Sequence, residues 1–381
     1  MSLAEDIQRL VCELVALESV NPDLVASGAG EGPIAQFVSS WLREHGLTVE
    51  VVEPVSGRPS VVGVVHGTGG GRSLMLNAHM DTVGAGGMTH AFDPVVRDGR
   101  VYGRGAYDMK ASLAAIMIAA REAIRLRLRG DLIVTAVADE EVASLGTSAV
   151  LERYRADAAI VTEPTELRLC VAHKGFVWLD VETQGVAAHG SRADLGVDAI
   201  AQMGRILTGA VDVDRRLREG GGHTLLGTGS LHASLIEGGQ EMSTYPARCT
   251  ARFERRTVPG EDATSALREI EGVIESARAA DPLLSAAARV TLERESSEVS
   301  SQGPVSMAVA AAARESLGRE PDIVGVAYWM DMALINAKGI PTVAFGPSGE
   351  GEHADVEWVD LASVAKCVQV YLRAAEVLGG R

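Results

Sequence analysis

Short runs rich in valine, leucine and isoleucine alternate with helical stretches over the first 170 residues, and no other feature limits the possible folds as much. Strands are expected over 48–52, 61–65, 73–77, 132–136 and 159–162, and helices over 34–45 and 109–126. The pattern resumes near the C-terminus with a helix over 305–317, strands over 323–326 and 342–345, and a helix over 361–378. Such alternation predicts an α/β domain: a mostly parallel sheet with helices on both faces.

The middle of the chain breaks this rhythm. A strand over 177–183 is followed by a helix over 197–207, a glycine-broken loop at Gly220-Gly221-Gly222, and strands over 230–236 and 248–254. A helix over 263–280 and a strand over 289–295 close the segment. The order β-α-β-β-α-β is that of a ferredoxin-like split unit. Residues 173–295 are therefore expected to form an α+β insert in a discontinuous domain built from 1–172 and 296–381.

Composition narrows the function. Lys and Arg number 35 against 51 Asp and Glu, a net charge of −16. That balance disfavours binding to nucleic acid or to anionic lipid, both of which call for a basic face. The four cysteines, Cys12, Cys170, Cys249 and Cys367, form no CxxC pair, which suits a reducing compartment. Ser2 and Glu5 form a capping box ahead of an amphipathic helix, which reads differently from a signal peptide. No apolar run reaches the roughly 18 residues of a membrane span. A soluble, cytoplasmic protein is expected.

Polar residues gather just past the predicted strands. His79-Met80-Asp81 follows the strand at 73–77, Asp139-Glu140-Glu141 that at 132–136, and Glu163-Pro164 that at 159–162. His353-Ala354-Asp355 lies a Gly-rich loop beyond 342–345, and Asp108 sits at the mouth of the apolar helix at 109–126. Open α/β sheets build their sites at the carboxyl ends of strands. Imidazoles and carboxylates without thiolate suit zinc or a similar divalent ion, and two such ions sharing a carboxylate can clamp a water and a carbonyl. Each cluster alone is weak, because His-x-Asp or Glu-Glu is commonplace in an acidic chain; their common topological place is what counts. Competing chemistries find no support. The chain has no GxGxxG, no GxxxxGK[ST], no GxSxG and no HExxH.

Taken in order, Leu76-Asn77-Ala78-His79-Met80-Asp81-Thr82-Val83, Gly103-Arg104-Gly105-Ala106-Tyr107-Asp108-Met109-Lys110, Asp139-Glu140-Glu141, Thr162-Glu163-Pro164 and Gly351-Glu352-His353 resemble the co-catalytic zinc amidohydrolases. That family includes acetylornithine deacetylase, succinyl-diaminopimelate desuccinylase, aminoacylase and the glutamate carboxypeptidases, and the resemblance runs over nearly the whole chain. It implies two divalent ions, zinc or else cobalt or manganese. Asp108 would bridge them, His79 and Glu163 would complete one ligand set, and Glu141 and His353 the other. Asp81 would orient the His79 imidazole, and a cis peptide would follow Asp108. Glu140 would be the general base that takes a proton from the activated water and returns it to the leaving amine.

The insert would be a lid and dimerisation domain of a homodimer. His189, in Ala188-His189-Gly190-Ser191, resembles the histidine that stabilises the oxyanion in the neighbouring subunit's site. Arg256 stands where relatives hold a substrate α-carboxylate, with Arg255 as competitor, and Gly346 and Pro347 would shape the substrate wall. Two departures stand out. Ser243-Thr244-Tyr245-Pro246 replaces the common Asn-x-x-Pro, so Ser243 or Tyr245 would take over a substrate contact. Ala111 replaces a common glycine, for which the sequence offers no account. The expected activity is deacylation of an N-acyl amino acid. Cleavage of di- or tripeptides, or of glutamate-type C-terminal bonds, is the alternative within the family. A metal-stabilised dimeric binding protein without catalysis is the alternative outside it.

Overall fold

The computed structural model describes residues 2–380, which fall into two compact units. The first holds the chain up to Val171, Val299–Val324 and the chain from Met330; the second holds Ala172–Glu298 and Gly325–Trp329.

The first unit is built on a large sheet whose centre is parallel. Leu74–His79 pairs in parallel with Leu132–Val137 on one side and Ala158–Val161 on the other, and Ala158–Val161 pairs in parallel with Thr342–Ala344. All three of the first strands are buried throughout, as expected of strands covered on both faces. The flanks are antiparallel, which makes the sheet mixed. Ser60–Val65 joins Leu132–Val137 and carries Thr48–Val52 outside it, while Leu169–His173 runs against Thr342–Ala344. The links at 53–59 and 162–168 are too short for a crossover, so the strands they join must reverse direction.

Helix Ala111–Ala123 packs on Leu361–Gly379, which in turn packs on Pro304–Leu317. Eleven residues of Ala111–Ala123 are buried, six of them alanines that let neighbouring backbones approach closely. Ser2 caps helix Leu3–Val15 through the expected box with Glu5. A small sheet of Val95–Arg97, Arg100–Tyr102, Gly349–Glu350 and Trp358–Asp360 completes the unit.

The second unit is a four-stranded antiparallel sheet in the order Ser230–Gly238, Arg248–Thr257, Gly175–Gln184, Ser285–Arg294. Helices Ala199–Glu219 and Ala263–Ala280 bury one face, with Met203, Ile206, Ile270, Leu179, Val181 and Phe253 in the core. This is the ferredoxin-like arrangement. The first helix runs well past the expected 197–207, because the charged stretch after Leu207 is its solvent face and still places Ala210 and Val213 in the core. Strand Ser285–Arg294 starts before the expected residue 289; its alanines are poor strand formers in isolation but pair here with Gly175–Gln184. Strand Ser230–Gly238 is an exposed sheet edge, with Leu235 59% and Ile236 56% accessible. Among the described residues no helix is long and apolar enough to cross a membrane.

Candidate metal centre

The parallel centre of the sheet aligns the carboxyl ends of four strands. His79 is the last residue of its strand, Glu163 lies two residues past Val161, and Asp139-Glu140-Glu141 begins two residues past Val137. His353 comes from a turn beyond Gly349–Glu350, and Asp108 from the turn that opens helix Ala111–Ala123. These five elements bring together His79, Asp108, Glu141, Glu163 and His353.

Asp108 lies between the two imidazoles. His79 Nε2 is 3.1 Å from Asp108 Oδ1 and 3.7 Å from Glu163 Oε1. His353 Nε2 is 3.3 Å from Asp108 Oδ2 and 3.2 Å from Glu141 Oε1. Each triad, His79–Asp108–Glu163 and Asp108–Glu141–His353, offers ligand atoms within 4.8 Å of one another. The donor set fits two divalent ions: nitrogen and oxygen only, with one carboxylate presenting a separate oxygen to each side. The Asp108–Met109 peptide is cis.

The electrostatics are those of buried carboxylates gathered around two imidazoles. Burial pushes Glu163 well above the usual carboxylate range, and the charge of Asp108 adds to it. Burial and then Glu163 do the same to Glu140. Burial would raise Asp108 as well, but hydrogen bonds from His353 and His79 hold it low. Burial opposes charging of His79, yet Asp108 and Glu163 keep its pKa well above the ordinary value. Hydrogen bonds to Asp108 and Glu141 raise His353 to about 10. Cations placed in the two triads would invert this pattern, keeping the acids ionised and the imidazoles neutral.

Asp81 meets His79 through its main chain. The group 2.8 Å from His79 Nδ1 is the Asp81 carbonyl oxygen, while its carboxylate stands 3.6 Å away. That carboxylate instead accepts from the backbone N–H of Glu140 at 3.1 Å, the N–H of Glu141 at 3.2 Å and Asn21 Nδ2 at 2.8 Å. His79 Nδ1–H donates to that carbonyl, which leaves Nε2 as the nitrogen that faces Asp108. Gly346 and Pro347 are buried behind Glu163: their carbonyl oxygens accept from Leu167 N–H and Glu166 N–H, closing the turn that follows Glu163.

In the second unit, His189, Ser243 and Tyr245 come together. Residues 188–190 bridge 243–245 through Gly190 N–H to Ser243 O at 2.7 Å and Tyr245 N–H to Ala188 O at 2.9 Å. His189 is exposed, with Nδ1 2.8 Å from Ser191 Oγ. Arg255 is buried, its guanidinium taken up by Glu269 at 2.9 Å and Glu261 at 3.0 Å. Arg256 is partly exposed, beside Glu254 and 5.1 Å from the Phe176 ring. Of the two, Arg256 keeps the freer guanidinium.

Sequence reasoning missed the residues that hold these loops. Arg58, 7% exposed, bonds Glu31 and Asp139, and Asn21 joins Asp139 to Asp81. Glu357, 1% exposed, receives the N–H groups of Gly105, Tyr107 and Asp108. They lie in segments far apart in sequence, and no motif marks Glu31 or Glu357.

A mixed α/β sheet that gathers this donor set at its strand ends defines a metal-dependent amidohydrolase. The family model of peptidase family M20/M25/M40 matches residues 75–377, and the chain belongs to that family. It is 29% identical to an acetylornithine deacetylase of Myxococcus xanthus over 98% of both chains. Among solved structures, an aminopeptidase PepT from Bacillus cereus superposes with a TM-score of 0.80 at 20% identity, covering 98% of each chain. The YXEP protein of Bacillus subtilis, described as a dinuclear metal-binding peptidase of the M20 family, superposes at 0.76 with 17% identity over 99% of this chain and 98% of that one.

Proposed function

We propose that the protein removes the acyl group from an N-acyl amino acid by hydrolysis, at a centre of two divalent ions shared through Asp108. The observation that carries this reading is the placement of Asp108, one oxygen towards His79 and the other towards His353. The full-length likeness to an acetylornithine deacetylase favours a deacylase over a peptidase. His79 and Glu163 would hold one ion, and Glu141 and His353 the other. Zinc suits the donors best, with cobalt or manganese as substitutes. Bound there, the ions would acidify a water and polarise an amide carbonyl.

The chain's own groups do the rest. Glu140 lies three residues past its strand, and its backbone is fixed by Asp81. With cations keeping it ionised, its carboxylate takes a proton from the attacking water and passes it to the departing nitrogen. Arg256 would hold the substrate carboxylate in a bidentate contact, with Ser243 or Tyr245 beside it. The exposed edge Ser230–Gly238 favours pairing with a second copy of the chain. A homodimer of this kind would let His189 serve the partner's site as an oxyanion donor. Four cysteines far apart in sequence, with no CxxC pair, agree with a cytoplasmic location.

Metal analysis combined with a hydrolysis screen tests the proposal. The screen would cover N-acetyl, N-succinyl, N-formyl and N-carbamoyl amino acids, with di- and tripeptides in parallel. Turnover of an N-acyl amino acid by protein holding two ions per chain is the expected result. Peptide cleavage without deacylation would overturn the substrate class, and ion binding without any hydrolysis would overturn the enzymatic reading.

A further inference from the structure

Glu357 stands out because a single carboxylate serves the whole Asp108 turn. Its Oε1 accepts from Tyr107 N–H at 2.8 Å and Asp108 N–H at 3.0 Å, and its Oε2 accepts from Gly105 N–H at 3.0 Å. Oε2 also takes Arg104 Nη1 at 2.8 Å. Arg104, 2% exposed, spends its remaining donors on two further loops: Nη2 on the Ala354 carbonyl at 2.9 Å and Nε on the Gly84 carbonyl at 3.1 Å.

One buried ion pair therefore joins the backbone that carries Asp108 to the carbonyl immediately after His353. His353 needs such support. Its residue is exposed, its φ of 59° lies in the left-handed region, and it comes from a turn rather than a strand end. His79 and Glu163, by contrast, are 1% and 6% exposed and stand at or next to the ends of buried strands.

We propose that the Arg104–Glu357 pair is a positioning device that sets Asp108 against His353, and so governs how tightly the Asp108–Glu141–His353 triad holds a divalent ion. The inference rests on the di-metal reading above. Bonds to the backbone N–H groups aim the Asp108 carboxylate, and the fork of Arg104 fixes where the His353 turn sits relative to it. Loss of the pair leaves the His79–Asp108–Glu163 triad with two ligands held by the sheet, and leaves the other triad with only Glu141 so held. The two ion sites should therefore respond unequally.

The test is zinc titration calorimetry on the full chain, stripped of metal, with metal analysis of the reloaded protein. Wild type should take up two ions per chain. Glu357→Gln keeps the shape but removes the charge. It should weaken one of the two binding events by about tenfold or more, the usual scale for partners of metal ligands. The other event should change by less than about threefold. Arg104→Lys keeps a cation but loses the planar fork that reaches Ala354 and Gly84, and should give the same unequal pattern. Two events unchanged, or both weakened alike, in a folded variant would overturn the proposal. So would failure of both variants to fold, since the pair would then be a general structural element. Wild type binding fewer than two ions would overturn the di-metal reading itself, and this inference with it.

Discussion

Asn21 donates a 2.8 Å hydrogen bond from Nδ2 to the buried carboxylate of Asp81. The same nitrogen lies 3.0 Å from Asp139 Oδ1. Asp81 fixes the backbone of Glu140 and Glu141, so one amide supports the turn that carries both. Asn21→Leu removes a donor from two buried carboxylates, each dependent on its partners. We expect a loss of about 1–3 kcal/mol in chemical denaturation. A loss below about 0.5 kcal/mol, the range of ordinary surface changes, would show that the amide is dispensable.

Glu140 is the group whose removal should separate binding from chemistry. Glu140→Gln keeps volume and leaves the five candidate ion ligands in place. Metal content should stay at the wild-type level while turnover falls by about 10²–10⁴, the scale of general acid–base catalysis. Activity within about tenfold of wild type would remove Glu140 from the base role.

His189 offers a test of a shared site. Alone, His189→Ala and Glu140→Gln should each be nearly inactive. Co-expressed as verified heterodimers, they should recover activity, because one of the two composite sites then holds both an intact Glu140 and the partner's intact His189. Heterodimers as inactive as the parents would place His189 outside the reaction.

Gly346 is confined from behind the site. A Cβ there would lie 2.1 Å from the Glu163 carbonyl oxygen and 2.6 Å from that of Thr162. Gly346→Ala should displace Glu163, lower thermal stability by the equivalent of about 1–3 kcal/mol as an overpacked site does, and weaken ion binding. Gly32, with nothing within 4 Å of an added Cβ, is the control: Gly32→Ala in a helix should leave stability unchanged or slightly raised. Equal behaviour of the two variants would refute the steric argument.

His173 gives the fold a dependence on acid. It is fully buried, Nδ1 lies 2.9 Å from the Lys174 carbonyl oxygen, and among the described residues Nε2 has no partner. Burial disfavours the charged ring and lowers its pKa to about 4. The unfolded chain would protonate near 6.5, so it binds the extra proton first as pH falls. Stability from the neutral ring is thus intact above about 6.5 and is lost progressively between about 6.5 and 4. His173→Gln should flatten that part of the stability profile measured by urea unfolding. An unchanged slope would exclude the residue as its source.

Much of the fold was legible because its strands are buried on both faces and its helices are long. The Leu74–His79, Leu132–Val137 and Ala158–Val161 strands read as apolar runs, and their ends carry the polar residues that mark the site. Helix Leu145–Arg153 escaped notice because its polar and apolar residues lack a clear face, and it opens at Ser144 in a left-handed conformation. The small sheet is made of strands of two or three residues, too short for any period to show. The five candidate ion ligands were readable from motifs. Their supports were not: Asn21, Arg58 and Glu357 are single residues whose meaning exists only once distant loops meet.

Asp108, Glu140, Glu141 and Glu163 converge on one sheet end, and the fold supplies only two imidazoles opposite them. Folding therefore gathers four acids around two imidazoles, and burial drives Glu140 and Glu163 towards their protonated forms. Whatever occupies the two triads favours the native state over the unfolded one, by about 2.7 kcal/mol for each site at a hundredfold excess over its dissociation constant. A cell short of divalent ions would accordingly hold less of the protein as well as less active protein. The amount of folded chain becomes a readout of the metal supply, through the same carboxylates that make the site.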